Sequence, residues 1–207
     1  MRPKQKLANI KALVVIAHPD DETIWLGGFI MRHSEIKWTI FSLCRASDPD
    51  RKPKFLKVCK YYKAKAIITD WEDEGKLDLK PSIPVAKKII IEKLKPAKGE
   101  KFDWLFTHGK TGEYGHPRHI GAYQAVNSLI KDKLLEPKKV FYFNYKKSGQ
   151  GKYGRPQAKK NSSLIIKLTK KEFEKKKRVI TDIYGFNPKG IEANYCTNPE
   201  AFKIRKL

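Results

Sequence analysis

The sequence predicts an α/β fold in which helices cover both faces of a mostly parallel sheet. Five short apolar runs alternate with four longer segments whose apolar residues recur at helical spacing. Parallel strands need crossover connections of a dozen or more residues, and the helical segments have that length. The chain has 207 residues, which suits a single domain spanning residues 1–207.

The predicted strands are apolar runs bounded by polar or turn-forming residues. The first is the uninterrupted run ALVVIA at residues 12–17, which ends at a histidine and a proline. Four later runs, WTIFSLC, AIIT, DWLFT and VFYFNY, occupy residues 38–44, 66–69, 103–107 and 140–145. Apolar runs that do not alternate with polar residues are typical of strands buried on both faces.

Helices are predicted between these strands. Residues 21–33 carry apolar side chains at helical spacing, and the Gly27-Gly28 pair allows close packing on the sheet. Three further helices are predicted at residues 53–63, 83–94 and 117–130, and prolines near their starts suit the first turn of a helix. This order of elements predicts a Rossmann-like three-layer sandwich.

The patterns beyond residue 145 are weaker. Residues 146–163 are rich in Gly, Ser and Lys, and we expect a flexible basic loop or the tip of a hairpin. The functional alternative is a basic lid over an anionic part of a substrate, with Tyr153 and Arg155 as its contacts. The run KKEFEKKKR at residues 170–178 is interpreted as the solvated face of a helix.

The net charge of +23 admits two interpretations. A basic face attracts nucleic acid, anionic lipid or acidic substrates. Alternatively, lysine is simply the common surface residue of this protein. The second interpretation is favoured, because the excess is mostly lysine spread along the chain, without an arginine cluster or an RNP-like stretch. Nucleic acid is therefore not expected as a partner.

Cysteine usage and the N-terminal residues predict a cytoplasmic protein without a transmembrane segment. The three cysteines show no C-x-x-C spacing, which argues against a disulfide framework and a zinc ribbon. The apolar run that follows the basic N-terminal residues is too short for a signal-peptide core or a membrane span.

Two polar stretches follow predicted strands and are expected to share one rim of the sheet. HPDDE comes directly after the first strand, and THGKTGEYGHPRH comes after the fourth. Ligands of open α/β sheets bind beyond the carboxyl ends of the strands. The second stretch holds three of the five histidines of the chain, and His18 lies in the first.

The three consecutive acids of HPDDE predict a metal ion. Like charges repel unless a cation neutralises them or the chain turns them apart. Catalytic zinc sites take three ligands from His and Asp or Glu, and His18, Asp21 and His119 can converge on one ion. Asp20 is then left as a general base toward water at the metal. The alternative is helix capping by Asp20 or Asp21, which needs no histidine.

At these residues the chain resembles the PIG-L/LmbE superfamily of zinc-dependent deacetylases, which remove acetyl from N-acetylglucosaminyl compounds. The resemblance rests on AHPDDE and on THG…GEYGHPRH, and it covers about residues 12–145. It implies an LmbE-like version of the predicted fold. It also implies a metal-dependent hydrolase that releases acetate and a free amino sugar. The implied cofactor is Zn²⁺ held by His18, Asp21 and His119, and another divalent ion is left open.

The resemblance implies roles for other residues, position by position. Asp20 is the general base, and His116 stabilises the tetrahedral intermediate or protonates the leaving amine. Arg51 falls where the family has a substrate-contacting arginine in an Arg-x-x-Glu pattern, although Lys54 replaces the glutamate here. The candidate substrate-binding residues are Arg51, Arg118 and Tyr114.

Arg118 departs from the family pattern, which has Asp or Asn between the two histidines. A nearby arginine and the positive end of a helix disfavour the imidazolium form of His116. Either Arg118 points away and another acid, such as Glu113, supports His116, or His116 acts as a neutral hydrogen-bond donor. His108 is interpreted as a turn histidine close to the site, and Trp71 as a core aromatic or a sugar-stacking platform.

The C-terminal part matches the family less well. The late H-x-S-Q-like element of the family is missing, and the residues near its place are YGFN at 184–187. Glu200 and Phe202 resemble an E-x-F ending of the family.

Two rival functions are left open by the sequence. One is a nucleic-acid or acidic-polymer binder that uses the +23 charge, and the other is a non-catalytic relative that keeps the metal cage. Neither function requires the Asp20 carboxylate beside the predicted metal ligands. The expected partner is an N-acetylated amino-sugar substrate whose aglycone is not specified, and homo-oligomerisation is left open.

Overall fold

A seven-stranded sheet forms the centre of the molecule. The computed structural model describes residues 7–94, 101–149 and 154–207. The parallel part of the sheet consists of β1 (Lys11–Ile16), β2 (Lys37–Ser42), β3 (Lys65–Ile68), β4 (Trp104–Thr107) and β5 (Lys139–Phe143). A separate hairpin pairs β6 (Tyr145–Ser148) with β7 (Arg155–Ala158), while β8 (Leu164–Ile166) and β9 (Glu200–Lys206) extend the main sheet in the antiparallel direction. The spatial order is β3-β2-β1-β4-β5-β9-β8.

The helices cover both faces of the sheet. The α-helices are α1 (Asp21–Arg32), α2 (Arg51–Tyr61), α3 (Leu79–Leu94), the short turn α4 (Gly112–Gly115), α5 (Pro117–Lys131), α6 (Lys170–Arg178) and α7 (Ile191–Tyr195), and a π-helical segment (Val179–Ile183) directly follows α6. Buried residues of α1 and α2 pack on one face, and those of α3 and α5 pack on the other. Within the described residues, no helix combines the length and the apolar character needed to cross a membrane.

The alternation of side chains in β1 explains why its sequence is apolar throughout. Ala12, Val14 and Ile16 belong to the hydrophobic core under α1, and Leu13 and Val15 belong to the core under α5. A strand buried on both faces has no position for a polar side chain. This arrangement confirms the predicted three-layer α/β sandwich with a mostly parallel sheet.

The predicted strands and helices are confirmed, with boundary shifts of a few residues. Helix α3 begins at Leu79, before the predicted start, so that Pro81 lies in its first turn, where proline is tolerated, and Pro84 lies inside the helix. The predicted strand at 140–145 is divided at Asn144, where β5 ends and the hairpin begins. The two antiparallel strands β8 and β9 were not predicted. Their sequences, LII and EAFKIRK, are short or mixed in polarity.

The basic segment at residues 146–163 forms the arms of a hairpin rather than only a loop. Arg155 begins β7, and Lys159 donates a hydrogen bond from Nζ to Thr111 Oγ1 over 3.3 Å. The segment therefore borders the loop that follows β4. The other predicted lid contact, Tyr153, lies outside the described residues.

The strand order fixes where ligands can bind. From β1 the chain moves to β2 and β3 on one side, and β4 and β5 then lie on the other side of β1. The crevice between the carboxyl ends of β1 and β4 is therefore the topological switch point, where α/β sheets bind ligands. Both polar stretches identified in the sequence begin there.

A buried ion pair anchors α1 to the C-terminal part of the chain. The Glu200 carboxylate accepts hydrogen bonds from the amides of Gly28 (2.7 Å) and Phe29 (2.8 Å), and Lys176 Nζ lies 2.7 Å from its Oε1. Both side chains of the pair are fully buried, so Lys176 is an exception to the predicted solvated face. A Cβ atom at Gly28 would lie 2.4 Å from Leu168, which explains the glycine.

We expect Lys176→Met to lower the free energy of unfolding by about 3–5 kcal/mol, because it leaves the buried Glu200 carboxylate without its cation. Urea unfolding at neutral pH measures the change. The matched control is Glu172→Gln, which breaks the exposed Arg32–Glu172 pair between α1 and α6 and should cost less than about 1 kcal/mol. Equal losses in the two variants would contradict the anchoring role.

Candidate active site

The loops that follow β1 and β4 form the walls of a cleft of about 300 Å³. The cleft brings together seven of the eight site residues predicted from the sequence and leaves out Arg118. The seven are His18, Asp20, Asp21, Arg51, Tyr114, His116 and His119.

Potential metal-ligand atoms of three of these residues lie close together in the cleft. His18 Nδ1 lies 3.4 Å from Asp21 Oδ2 and 3.3 Å from His119 Nε2, and His119 Nε2 lies 3.4 Å from Asp21 Oδ1. Zinc bonds of about 2.0–2.1 Å in a tetrahedral arrangement separate ligand atoms by about 3.3–3.4 Å. The donor types of this set suit Zn²⁺, and Asp21 faces the two imidazoles with different oxygens, His18 with Oδ2 and His119 with Oδ1.

Other potential ligands surround this set. His116 is close enough to His18 and His119 to complete an alternative group, and His108 does the same with Asp21 and His119. The assignment of His18, Asp21 and His119 as the ligands remains a prediction.

Each of the two predicted histidine ligands has a carboxylate on its other ring nitrogen. Asp73 Oδ1 lies 3.0 Å from His18 Nε2, and Glu113 Oε2 lies 2.7 Å from His119 Nδ1. Such outer carboxylates fix the tautomer and the orientation of metal-binding imidazoles. Although burial raises the pKa of Asp73, its contacts with His18 and Arg45 lower that pKa to about 2. Asp73 therefore stays ionised at neutral pH.

Glu113 holds two histidines. Its carboxylate accepts from the Gly109 amide (2.7 Å) and pairs with His108 Nδ1 (2.8 Å) in addition to His119. The Ala17 amide donates to His108 Nε2 over 3.0 Å, so Nδ1 is the protonated nitrogen of that ring. His108 thus acts as a structural partner here, and the expectation that Glu113 supports His116 is wrong because its oxygens face the other two rings.

The three consecutive acids are turned apart, as their mutual repulsion requires. Asp21 faces the two histidines, Asp20 Oδ2 accepts from Arg51 Nη1 over 2.9 Å, and Glu22 points into the core. Asp20 makes no side-chain cap on α1, which removes the capping alternative for this residue. Its backbone φ of 123° is rare outside glycine, and such strain concentrates at functional sites.

Glu22 supports the backbone of Asp20 from beneath. Its Oε2 accepts from the Asp20 amide over 3.1 Å, and its Oε1 accepts from the hydroxyls of Thr23 (2.7 Å) and Tyr184 (2.9 Å). Burial raises the pKa of Glu22 to about 7.

The YGFN stretch at residues 184–187 contributes two aromatic side chains to the site. Tyr184 donates to Glu22, and Phe186 lies under the Arg51 guanidinium, 4.2 Å from ring centre to Cζ. These residues therefore reach the site from the C-terminal part of the chain.

The structure favours a neutral His116. Its Nδ1 accepts a hydrogen bond from the Arg118 amide over 3.2 Å and so caps α5. The proton of the neutral ring is then on Nε2. Burial, together with the nearby His119 and His18, lowers the pKa of His116 to about 3. Of the two alternatives left by the sequence, the neutral hydrogen-bond donor fits this geometry.

One sequence-based expectation about substrate contacts, that for Arg118, does not fit the structure, and the core interpretation of Trp71 is favoured over the sugar-stacking alternative. Arg118 is 5% exposed and points away from the cleft, where its guanidinium meets the Glu72 carboxylate. Trp71 is 1% exposed and donates its indole N–H to the Ser82 carbonyl over 3.1 Å. A buried ring cannot stack on a sugar, so Trp71 is a core residue.

Among the cleft residues that sequence reasoning missed are Asp73, Arg45 and Tyr195. Asp73 and Arg45 follow β3 and β2, whose carboxyl ends face the same rim, so the rule that located HPDDE could have suggested them. Tyr195 comes from α7 and packs on Tyr114 with ring centres 4.9 Å apart. No local pattern marks Tyr195, because its position depends on how the C-terminal segment folds back.

We expect Glu113→Gln to weaken zinc binding by about 10–100-fold, because His119 loses its ionised partner. Competition with a chromophoric chelator measures the affinity, and circular dichroism checks that the variant is folded. Glu92→Gln, a change of the same type at an exposed helix position, should leave the affinity unchanged. An unaltered affinity in folded Glu113→Gln would exclude the orienting role.

Comparison with solved structures finds this fold in proteins of low sequence identity. A conserved protein, TT1542, from Thermus thermophilus is 17% identical, with 94% of each chain covered and a TM-score of 0.64. The N,N'-diacetylchitobiose deacetylase from Pyrococcus horikoshii is 14% identical, with 95% of this chain and 84% of that chain covered and a TM-score of 0.64. The 4-carboxy-2-hydroxymuconate hydratase from Pseudomonas putida is 15% identical, with coverages of 90% and 82% and a TM-score of 0.59. At these identities the likeness is one of fold.

A family model gives the closer relationship. The PIG-L model, described as GlcNAc-PI de-N-acetylase, matches residues 13–130. This segment is more than half of the chain and contains both loops of the cleft, with His18, Asp21 and His119. The chain therefore belongs to the PIG-L family.

Proposed function

We propose that the protein is a Zn²⁺-dependent hydrolase that removes the N-acetyl group from an N-acetylglucosamine-containing small molecule or glycoconjugate. The observation that carries the proposal is the convergence of His18, Asp21 and His119 beside Asp20, a residue with a strained backbone that lines the same cleft. Membership of the PIG-L family and the fold shared with a chitobiose deacetylase support the choice of an acetamido sugar.

His18, Asp21 and His119 would hold the ion. When bound by such ligands, Zn²⁺ polarises a carbonyl group and lowers the pKa of a water ligand toward neutrality. Asp73 and Glu113 keep the two imidazoles oriented with one nitrogen each toward the ion.

Asp20 would move the protons of the reaction. Burial and the adjacent Asp21 raise the pKa of Asp20, although the Arg51 guanidinium opposes the shift, and a raised pKa makes a carboxylate a stronger base. Arg51 occupies Oδ2, so we assign the transfer to Oδ1. This oxygen takes a proton from the attacking water as the C–O bond forms, and it returns the proton to the leaving nitrogen as the C–N bond breaks. The products are acetate and the free amine.

His116 would stabilise the negative charge that develops on the acetyl oxygen. Its Nε2 carries a proton because Nδ1 accepts the Arg118 amide, and a neutral donor aimed at the developing charge lowers the barrier. Asp20, rather than His116, would protonate the leaving amine, since the low pKa of His116 disfavours the imidazolium form that could donate a proton. Arg51 and Tyr114, which line the cleft, are the proposed substrate contacts.

The fold is compatible with another reaction, and the net charge is compatible with nucleic-acid binding. A hydratase shares the fold, so the architecture alone does not select amide hydrolysis, and the family match carries that choice. The net charge of +23 would suit a nucleic-acid binder, but such a function needs neither a metal nor a carboxylate held as Asp20 is. Electrophoretic mobility shifts with nucleic acid that persist after chelation would favour that alternative.

We expect the wild type, purified without chelator, to contain about one zinc per chain and His119→Ala to lose most of it. Inductively coupled plasma mass spectrometry measures both contents. If neither protein retains metal after zinc is added back, the hydrolase proposal fails at its first step.

Asp20→Asn should keep the metal and lose about 10²–10⁴-fold in the rate of acetate release, because the amide cannot accept a proton. The assay uses a panel of N-acetylglucosaminides and an enzymatic acetate readout. Asp132→Asn, at an exposed position away from the cleft, is the matched control and should retain the wild-type rate. A fully active Asp20→Asn variant would refute the assignment of the base.

We expect His116→Ala to lower kcat by about 10²–10³-fold, as is typical when one donor to a developing oxyanion is removed. A pKa of about 3 means that His116 is protonated only below that value and is neutral above it. The limbs of the pH–rate profile in the neutral range should therefore be the same in wild type and variant. Loss of a limb in the variant would identify His116 as a titrating acid instead.

A further inference from the structure

We propose that Arg118 is a positioning residue that acts on the metal site through Asp73. Arg118 holds residues 71–77, which we call the acidic loop, against the start of α5, and the acidic loop presents Asp73 to His18. The inference rests on the metal-binding part of the proposed function.

The Arg118 guanidinium is the point at which the acidic loop is attached to α5. Its Nη1 donates to Ser82 Oγ over 3.0 Å, and its Nη2 donates to the Leu77 carbonyl over 2.9 Å and to the Glu72 carboxylate. Its Cζ lies 5.1 Å from the centre of the Trp71 ring. A planar guanidinium can serve several acceptors and an aromatic face at once, which a lysine ammonium cannot do in the same geometry.

Glu72 transmits this attachment to the rest of the acidic loop. Its Oε2 accepts the Leu77 amide and its Oε1 accepts the Lys76 amide, each over 3.0 Å, and the Glu74 amide also donates to Oε1. The backbone therefore curls around the carboxylate that Arg118 holds. Asp73 follows Glu72 directly, so the hydrogen bonds between the loop backbone and the Glu72 carboxylate set its position.

Asp73 connects the acidic loop to the metal site. Its Oδ1 lies 3.0 Å from His18 Nε2, and its Oδ2 accepts from Arg45 Nη2 over 2.8 Å. Arg118 also directly precedes His119 in the first turn of α5. The same helix turn thus supplies one predicted ligand, His119, and fixes the partner of the other, His18.

This role accounts for the departure at position 118. In the family pattern the residue between the two histidines is Asp or Asn, next to His116. In this chain a carboxylate at that place has no free Nδ1 to bind, since the Nδ1 of His116 accepts the Arg118 backbone amide. The Arg118 side chain instead turns away from the cleft and holds the acidic loop by hydrogen bonds to Glu72 and Leu77.

The test is a double-mutant cycle on metal affinity. Zinc dissociation constants are measured by chelator competition for wild type, Arg118→Met, Asp73→Asn and the double variant. Each single change should weaken binding by about 10–100-fold, because both leave His18 without its oriented partner. If Arg118 acts through Asp73, the double variant should bind no more weakly than the weaker single variant. Independent effects would multiply in the double variant and overturn the proposal, as would an unchanged affinity in Arg118→Met.

A second readout separates positioning from general stability. Lys87→Met breaks an exposed ion pair with Asp132, 2.8 Å long, that also joins α3 to α5, and it should leave the zinc affinity unchanged. Substitution of Co²⁺ for zinc gives a visible spectrum that reports ligand geometry, and Arg118→Met and Asp73→Asn should shift it alike. If Arg118→Met does not fold, Glu72→Gln replaces it in the same cycle.

The outcomes distinguish the inference from the proposed function. A wild type that binds no zinc or cobalt defeats both. A wild type that binds metal and releases acetate, with an Arg118→Met variant of equal affinity, defeats the positioning role alone.

Discussion

The crowding of three carboxylates at residues 20–22 is the constraint on which the rest of the site depends. Such a cluster is tolerated only if each group is given a separate partner. Asp21 is given two histidines, Asp20 is given Arg51, and Glu22 is given two hydroxyls and a backbone amide. The cost is visible in the backbone of Asp20, which takes a conformation that non-glycine residues rarely adopt. The proposed cation at Asp21 would remove the remaining repulsion, so that metal binding and the local fold would support each other.

The parts of the fold that sequence could predict are those set by local pattern. The run ALVVIA is apolar because β1 is buried on both faces, and the polar stretches after β1 and β4 meet because parallel strands end at one rim. The strands β8 and β9 escaped prediction because their sequences are short or mixed in polarity, and the pairing of β9 with β5 and of β8 with β9 decides their state. Local pattern therefore located the candidate site but not the elements that close it.

Side-chain direction explains the expectation that failed. Arg118 directly precedes His119 of the cleft, yet its side chain turns into the protein. Neighbours in a helix turn point to different sides, and a one-dimensional pattern does not say which side is solvent. Asp73 could be located on the correct rim, but its pairing with His18 depends on the fold of the acidic loop around Glu72. Residues that orient a predicted ligand, such as Asp73 beside His18, are thus harder to predict from the sequence than the predicted ligands themselves.

The insertion of Glu200 into the hydrogen bonding of α1 has a consequence for how the chain is made. The amides of Gly28 and Phe29 bond to a carboxylate that is synthesised 172 and 171 residues later. While α1 is being synthesised, these two amides lack the carboxylate that they bond to in the folded protein, and non-local contacts of this kind form late in folding. Since α1 begins with Asp21, the helix that carries this proposed metal ligand gains its Glu200 contacts only when β9 joins the sheet.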